Sequence, residues 1–298
     1  MNLTIPRKEI TADNRRSRIK QTPVQKFLSG AKYASLIILA LITIIPMVVI
    51  FLGSFKTSYE LLSTGPFELP ESFLNFDNYI RAFSEGGMAK GFMNTAIILA
   101  ASLVATVLTG AMTAYILSRF DFRGRRLVQS LFLTASLIPS ITTTASTYLI
   151  MKNLGLLDTR WVLIILYAGT DIITIYIFLQ FLDGISMSID EAAIVDGASY
   201  FQIFFKIILP LLKPAIATTV ILKGVAFYND FYTPYIFTMG NKDIAVISTA
   251  LYKFQGPYGT EWEVICAGVV ITMIPTLIIF LALQKWIYAG LTEGSVKE

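Results

Sequence analysis

The sequence predicts an all-α, polytopic membrane protein with six transmembrane helices, and three observations carry that reading. Hydrophobic residues make up 55% of the 298 positions and charged residues only 15%, whereas soluble globular chains carry about a quarter of their residues charged. Four stretches, 33–55, 91–118, 127–151 and 264–284, contain no Asp, Glu, Lys or Arg, and each exceeds the ~18 residues expected of a span. Two weaker stretches lie between them: 161–182, interrupted by Asp171, and 212–237, with Lys213 at its edge and interrupted by Lys223 and Asp230. Lipid offers the backbone no hydrogen-bond partner, so each span must close its bonds internally as a helix.

In chain order, residues 1–32 are polar and low in aromatics, which predicts a cytoplasmic N-terminal segment that orients the protein. The first apolar run follows some thirty polar residues and contains Pro46. It is longer than the usual 7–15 residue core of a signal peptide, so a retained span is expected. The membrane domain then covers 33–290, and 291–298 form a short cytoplasmic tail. Glycines and prolines inside the spans, among them Pro46, Gly110, Pro139 and Pro275, are tolerated there and mark bends or close packing.

Lys and Arg collect on the cytoplasmic side of a membrane protein. Sixteen of them fall in the segment through Lys32, the turn 118–126, the stretch 190–214 and the C-terminal end. Seven fall in the connections on the other side. Both termini and the 190–214 segment are therefore expected in the cytoplasm, and the basic residues beside the spans need no nucleic acid to explain them.

The chain has no histidine and one cysteine. That leaves no imidazole for a metal site or a nucleophile pair, and Cys266, set in an apolar run, reads as a packing residue. No G-x-x-x-x-G-K-[ST] loop occurs, so the chain itself has no phosphate cradle of that kind.

Residues 190–214, DEAAIVDGASYFQIFFKIILPLLKP, hold five charged residues and two prolines. They are too interrupted to cross a bilayer and too apolar for an ordinary loop. Ser188 to Glu191 (SIDE) fits a capping box and predicts a helix start. Ala192, Ala193 and Gly197 give that helix a low profile. Phe201, Phe204, Phe205 and Ile208 then recur at helical spacing and leave Gln202 and Lys206 aside. The prediction is a short capped helix, a glycine turn and an interfacial helix feeding the next span at Pro210. From the residues alone, Glu191 has two readings: a cap for its own helix, or a contact to a partner.

The spacing Glu191-Ala192-Ala193, Gly197, Ile207, Leu209 and Pro210 resembles the signature of the permease subunits of bacterial ABC importers. The string EAAIVDGAS is similar to their carbohydrate-uptake branch, which includes the maltose transporter. AYILSRFDFRGRR (114–126), LIP (137–139), LGLLDT (154–159), YNDFYTPYIF (228–237) and QKWIYAGLTEGSVKE (284–298) resemble further blocks of that branch, in its order. Ser186, Ser188 and Tyr228 depart from it. The resemblance implies a cytoplasmic coupling helix between the fourth and fifth spans, in which Glu191, Ala192, Ala193, Asp196 and Gly197 meet an ATPase. It also implies a second and different permease subunit, two ATP-binding subunits that hold ATP and Mg, and an extracytoplasmic sugar-binding protein. The chain itself would bind no cofactor, would not be an enzyme, and would sit in the cytoplasmic membrane. The loop 238–262 would meet the binding protein, and the tail would reach between the ATPases.

Charges within spans are costly, at least ~2.5–3.5 kcal/mol on insertion scales, and usually face the bundle interior or water. At 1.5 Å per residue, Asp171 and Lys223 lie ~15 and ~17 Å from the ends of their helices, near mid-depth of a ~30 Å core. One reading has Asp171, Lys223, Tyr228, Asn229, Asp230 and Tyr232 lining a cavity for sugar hydroxyls. The other has them lock helices together or pair with the second permease. An ion-coupled carrier that uses Asp171 is the alternative function; it predicts transport without an ATPase. A scaffold or receptor would need no mid-span charge.

Overall fold

A computed structural model describes residues 23–169, 171–256 and 259–293. The polar segment 1–22 and the last five residues of the tail lie outside the described residues. The described residues fall into two compact units, one ending at Val49 and the other beginning at Ile50.

The first helix, α1 (Pro23–Gly53), carries Pro46 inside it. Residues 30–48 are exposed all round. A helix apolar on every side with its backbone internally bonded is what lipid requires.

The second unit is organised around α4 (Met88–Arg119). Before it come α2 (Ser58–Ser63) and α3 (Asp77–Ser84); after it come α5 (Arg125–Ser136), α6 (Ser140–Asn153), α7 (Arg160–Ala168) and α8 (Ile172–Asp183). One stripe of α4, Ser102, Thr106, Gly110 and Ala114, repeats every four residues, is buried throughout and is made only of small side chains. Beside it runs the apolar ladder Leu103, Val107, Ala111 and Tyr115, also buried. Small residues at that spacing let helix backbones approach closely. At Gly110 a Cβ would lie 2.6 Å from Thr174 Cγ2 of α8.

Among the described residues, α1, α4 and the stretch Trp262–Ala282 are each long and apolar enough to cross a membrane alone. Three bent helix pairs, Arg125–Ser136 with Ser140–Asn153, Arg160–Ala168 with Ile172–Asp183 and Tyr200–Leu211 with Lys213–Asn229, bring the count to as many as six crossings if each pair is one span, the third pair beginning before the predicted 212–237 and ending short of its end. The predicted continuous span 127–151 is two helices meeting at 102°. The break falls at Pro139, whose ring crowds the preceding turn and which has no N–H to give; Pro139 itself is extended, at ψ 128°, and caps the second helix. The predicted span 161–182 likewise breaks between Ala168 and Ile172. The break is supported from α4: the Thr106 hydroxyl lies 3.0 Å from the Tyr167 carbonyl and the Thr109 hydroxyl 3.5 Å from that of Ala168. Carbonyls released by a break are costly in lipid unless side chains take them up.

Then follow α9 (Ser188–Val195), α10 (Tyr200–Leu211), α11 (Lys213–Asn229) and α12 (Tyr232–Thr238). A bend of 73° separates α10 from α11, and Asp230 in extended conformation separates α11 from α12, so the predicted fifth span is also divided. The loop 238–262 is folded: α13 (Ile247–Ala250), two 3-10 turns and a two-stranded ribbon, β1 (Gln255–Gly256) with β2 (Gly259–Thr260), lead into α14 (Trp262–Glu293). Ile247, Ala250 and Phe254 bury against Ala82 of α3, Met88 of α4 and Val264 and Ala267 of α14.

Candidate functional site

The 187–211 segment folds as a helix, a glycine turn and a helix. Gly197 has φ +83°, a left-handed value that suits glycine. It ends α9 in a Schellman arrangement, with Ala198 N donating to the Ala193 carbonyl at 2.9 Å. The predicted capping box at Ser188 is not formed. Met187 already has helical angles (φ −63°, ψ −24°), so Ser188 falls inside the first turn, and its hydroxyl bonds that of Ser186 at 2.8 Å. The box forms eleven residues later and belongs to α10: Ser199 accepts from Gln202 N, and Gln202 Oε1 accepts from Ser199 N.

The apolar face of α10 also differs from the expected one. Ile203, Phe204 and Ile208 are buried while Phe201 and Phe205 are exposed. The cause is a π-turn over Phe204–Ile208, closed by Leu209 N on the Phe204 carbonyl. Five-residue spacing rotates the buried stripe away from the 3.6-residue register.

On α9, Asp190 and Ala193 point inward, and Glu191, Ala192, Ile194, Val195 and Asp196 are exposed, Val195 at 87%. The inward carboxylate escaped sequence reasoning. Asp190 Oδ1 accepts from the Tyr115 hydroxyl at 2.9 Å, and Oδ2 lies 3.2 Å from Arg119 Nε. Arg119 also donates through Nη2 to the Ile185 carbonyl at 2.8 Å. The signal was the order Asp190-Glu191: two adjacent carboxylates on a helix point ~100° apart, so burying Ala193 turns Asp190 inward with it.

The six mid-span candidates fall into separate groups. Asp171 begins α8 as its N-cap and accepts from Thr174 N at 3.0 Å and from the Thr174 hydroxyl. Lys223 Nζ lies 2.8 Å from Asp171 Oδ2, both side chains mostly buried. Asp230 is held elsewhere, accepting from the Tyr167 hydroxyl at 2.9 Å and from Thr233 N at 3.1 Å. Tyr228 donates to the Thr272 carbonyl of α14 at 2.9 Å. Asn229 and Tyr232 are exposed. Tyr228 and Asn229 also edge a groove of about 330 Å³ whose other walls are largely apolar, from Leu99 and Leu103 to Leu277 and Phe280.

Residues 106–293 match the family of binding-protein-dependent transport system inner membrane components. The chain belongs to that family. This permease is 30% identical over 271 residues to the diacetylchitobiose uptake system permease protein of Streptomyces coelicolor, covering 90% of this chain and 89% of that one. It is 32% identical over 280 residues to an arabinooligosaccharides transport system permease protein of Halalkalibacterium halodurans, covering 93% and 99%. A trehalose/maltose transport system permease protein of Thermococcus litoralis is 31% identical over 265 residues, with 88% and 94% covered. A bacterial ABC transporter involved in import of the acidic polysaccharide alginate contains a chain of the same fold, with TM-score 0.76 at 24% identity over 89% of this chain and 98% of that one. The permease is thus a multi-pass membrane protein of the binding-protein-dependent class, and the ion-coupled carrier reading finds no support.

Proposed function

We propose that this chain is one permease subunit of an ATP-driven carbohydrate importer in the bacterial cytoplasmic membrane, with both termini in the cytoplasm. The cargo class is supported by the relatives, named for uptake of diacetylchitobiose, arabinooligosaccharides and trehalose or maltose and matched over nearly their whole length. One observation carries the mechanism: α9 is fastened by Asp190 and Ala193 on one face and presents Glu191, Ile194 and Val195 on the other.

An exposed carboxylate beside two exposed aliphatic side chains suits a groove with an apolar floor and a basic rim on a partner ATPase. Small Ala192 keeps that approach close, Asp196 adds charge at the helix end, and Gly197 sets the turn that redirects the chain into α10. The ATPase would hold ATP and Mg, in keeping with a sequence here that carries no G-x-x-x-x-G-K-[ST] loop. Two such subunits, a second and different permease, and an extracytoplasmic sugar-binding protein complete the assembly. In the pathway, the exposed Tyr232 and the Oδ1 of Asn229, whose Nδ2 donates to the Val225 carbonyl at 3.0 Å, would meet sugar hydroxyls, while the Asp171–Lys223 pair joins helices.

The test is to purify the intact complex, identify the sugar its binding protein holds, and measure uptake into proteoliposomes. Uptake is expected only with ATP and the binding protein; uptake driven by an ion gradient alone refutes the reading. Glu191 caps nothing, so Glu191→Gln removes charge without touching the fold. It is expected to lower uptake several-fold at unchanged expression, whereas full uptake would remove Glu191 from the contact.

A further inference from the structure

The buried Tyr115–Asp190–Arg119 cluster lies behind the proposed docking face, where Asp190 of α9 meets Tyr115 and Arg119 of α4. Asp190 is 5% exposed, and the Arg119 and Asp190 side chains are 9% and 8% exposed. Tyr115 and Arg119 sit one turn apart in the last turns of α4, the helix on which α7, α8 and α11 pack. The two ends of the contact are therefore the proposed input helix and the central helix of the bundle.

The contact is polar and specific where a packing contact would have sufficed. Tyr115 also packs edge-on against Phe120 and tilted against Phe204 of α10, so its hydroxyl is fixed in direction. Neither Arg119 Nε nor Asp190 Oδ2 has an aligned hydrogen bond; they hold each other by charge across 3.2 Å. Such a pair in a low-dielectric site resists separation, because parting it leaves two uncompensated charges. Apolar contacts alone would let α9 slide over α4.

We propose that Asp190 and Arg119, oriented by Tyr115, form a clamp that makes α4 follow α9, so that displacement of α9 by the ATPase becomes rearrangement of the bundle. This rests on the proposed docking of α9. Both are positioning residues: they touch neither ATP nor sugar, and they set how much transport each hydrolysis yields.

The experiment uses the complete complex in proteoliposomes with binding protein, sugar and ATP, and measures sugar moved per ATP hydrolysed alongside retention of the ATPase subunits. Asp190→Asn and Arg119→Met are expected to retain the ATPase and hydrolyse ATP while moving about tenfold less sugar per ATP, the scale of an ordinary coupling free energy. Asp190→Glu is expected to recover most of the ratio. An unchanged ratio in Asp190→Asn overturns the clamp. Loss of the ATPase subunits in all three variants also overturns it, since the residues would then serve assembly alone. Val195→Asp, on the exposed face, reads the docking proposal separately: undiminished ATPase retention and uptake in that variant overturns docking through α9, and the clamp with it.

Discussion

At the scale of single residues, charge is spent where it is neutralised. Depth along a helix follows from residue counting, and counting put Asp171 and Lys223 at the same level. Which way each points around its helix axis does not follow, and the packing of α8 against α11 is what brings them to 2.8 Å. Parting a largely buried pair leaves a charge without a partner, so Asp171→Asn or Lys223→Met singly should cost about 1–3 kcal/mol. The double variant should regain most of it, and thermal melts of the purified complex check this. Equal losses that simply add would show that the two residues act independently. The neighbouring carboxylates Asp190 and Glu191 teach the same lesson: composition shows two acids, and only the buried face shows which is structural.

At the scale of elements, hydropathy marks the apolar stretches and overlooks the breaks within them. An apolar run of 25 residues looks the same whether it is one helix or two, because lipid rewards apolar side chains in either case. Pro139 carried a local signal of a bend, whereas the break before Asp171 is stabilised from outside its own helix, by the Thr106 and Thr109 hydroxyls of α4. Close packing of α4 on α8 depends on Gly110. Gly110→Ala places a Cβ 2.6 Å from Thr174 Cγ2 and should destabilise by about 1–3 kcal/mol, the usual cost of overpacking. Thr174→Ser removes that methyl while keeping the hydroxyl that bonds Asp171, so the double variant should melt near wild type. A double variant as unstable as Gly110→Ala alone would place the strain elsewhere.

At the scale of the whole molecule, the end of α4 opposite α9 is built from buried polar groups that read as ordinary loops in sequence. Lys56, 2% exposed, donates to Thr64 Oγ1 and to the Gly65 carbonyl. Asn94 links Arg160 to the carbonyls of Asp243 and Ala245. Thr57 and Glu60 form a capping box. Backbone amides of Thr57 and then Glu71 hold the Glu60 carboxyl below its ordinary 4.5. A lowered folded value means the stabilisation is complete above about pH 4.5 and is lost as pH falls through the folded value. Melting of the complex between pH 7 and pH 3.5 should therefore fall less steeply for Glu60→Gln than for wild type; parallel slopes would remove Glu60 from the acid response. The sequence by itself determined the lipid-facing character, the approximate spans and the helix-glycine-helix segment, because each depends on local composition and spacing along one chain. Tertiary structure decided which carboxylate of α9 is buried, where spans break, that Asp171 meets Lys223, and that loops fold into a polar end, because those depend on the faces that separate helices turn toward one another.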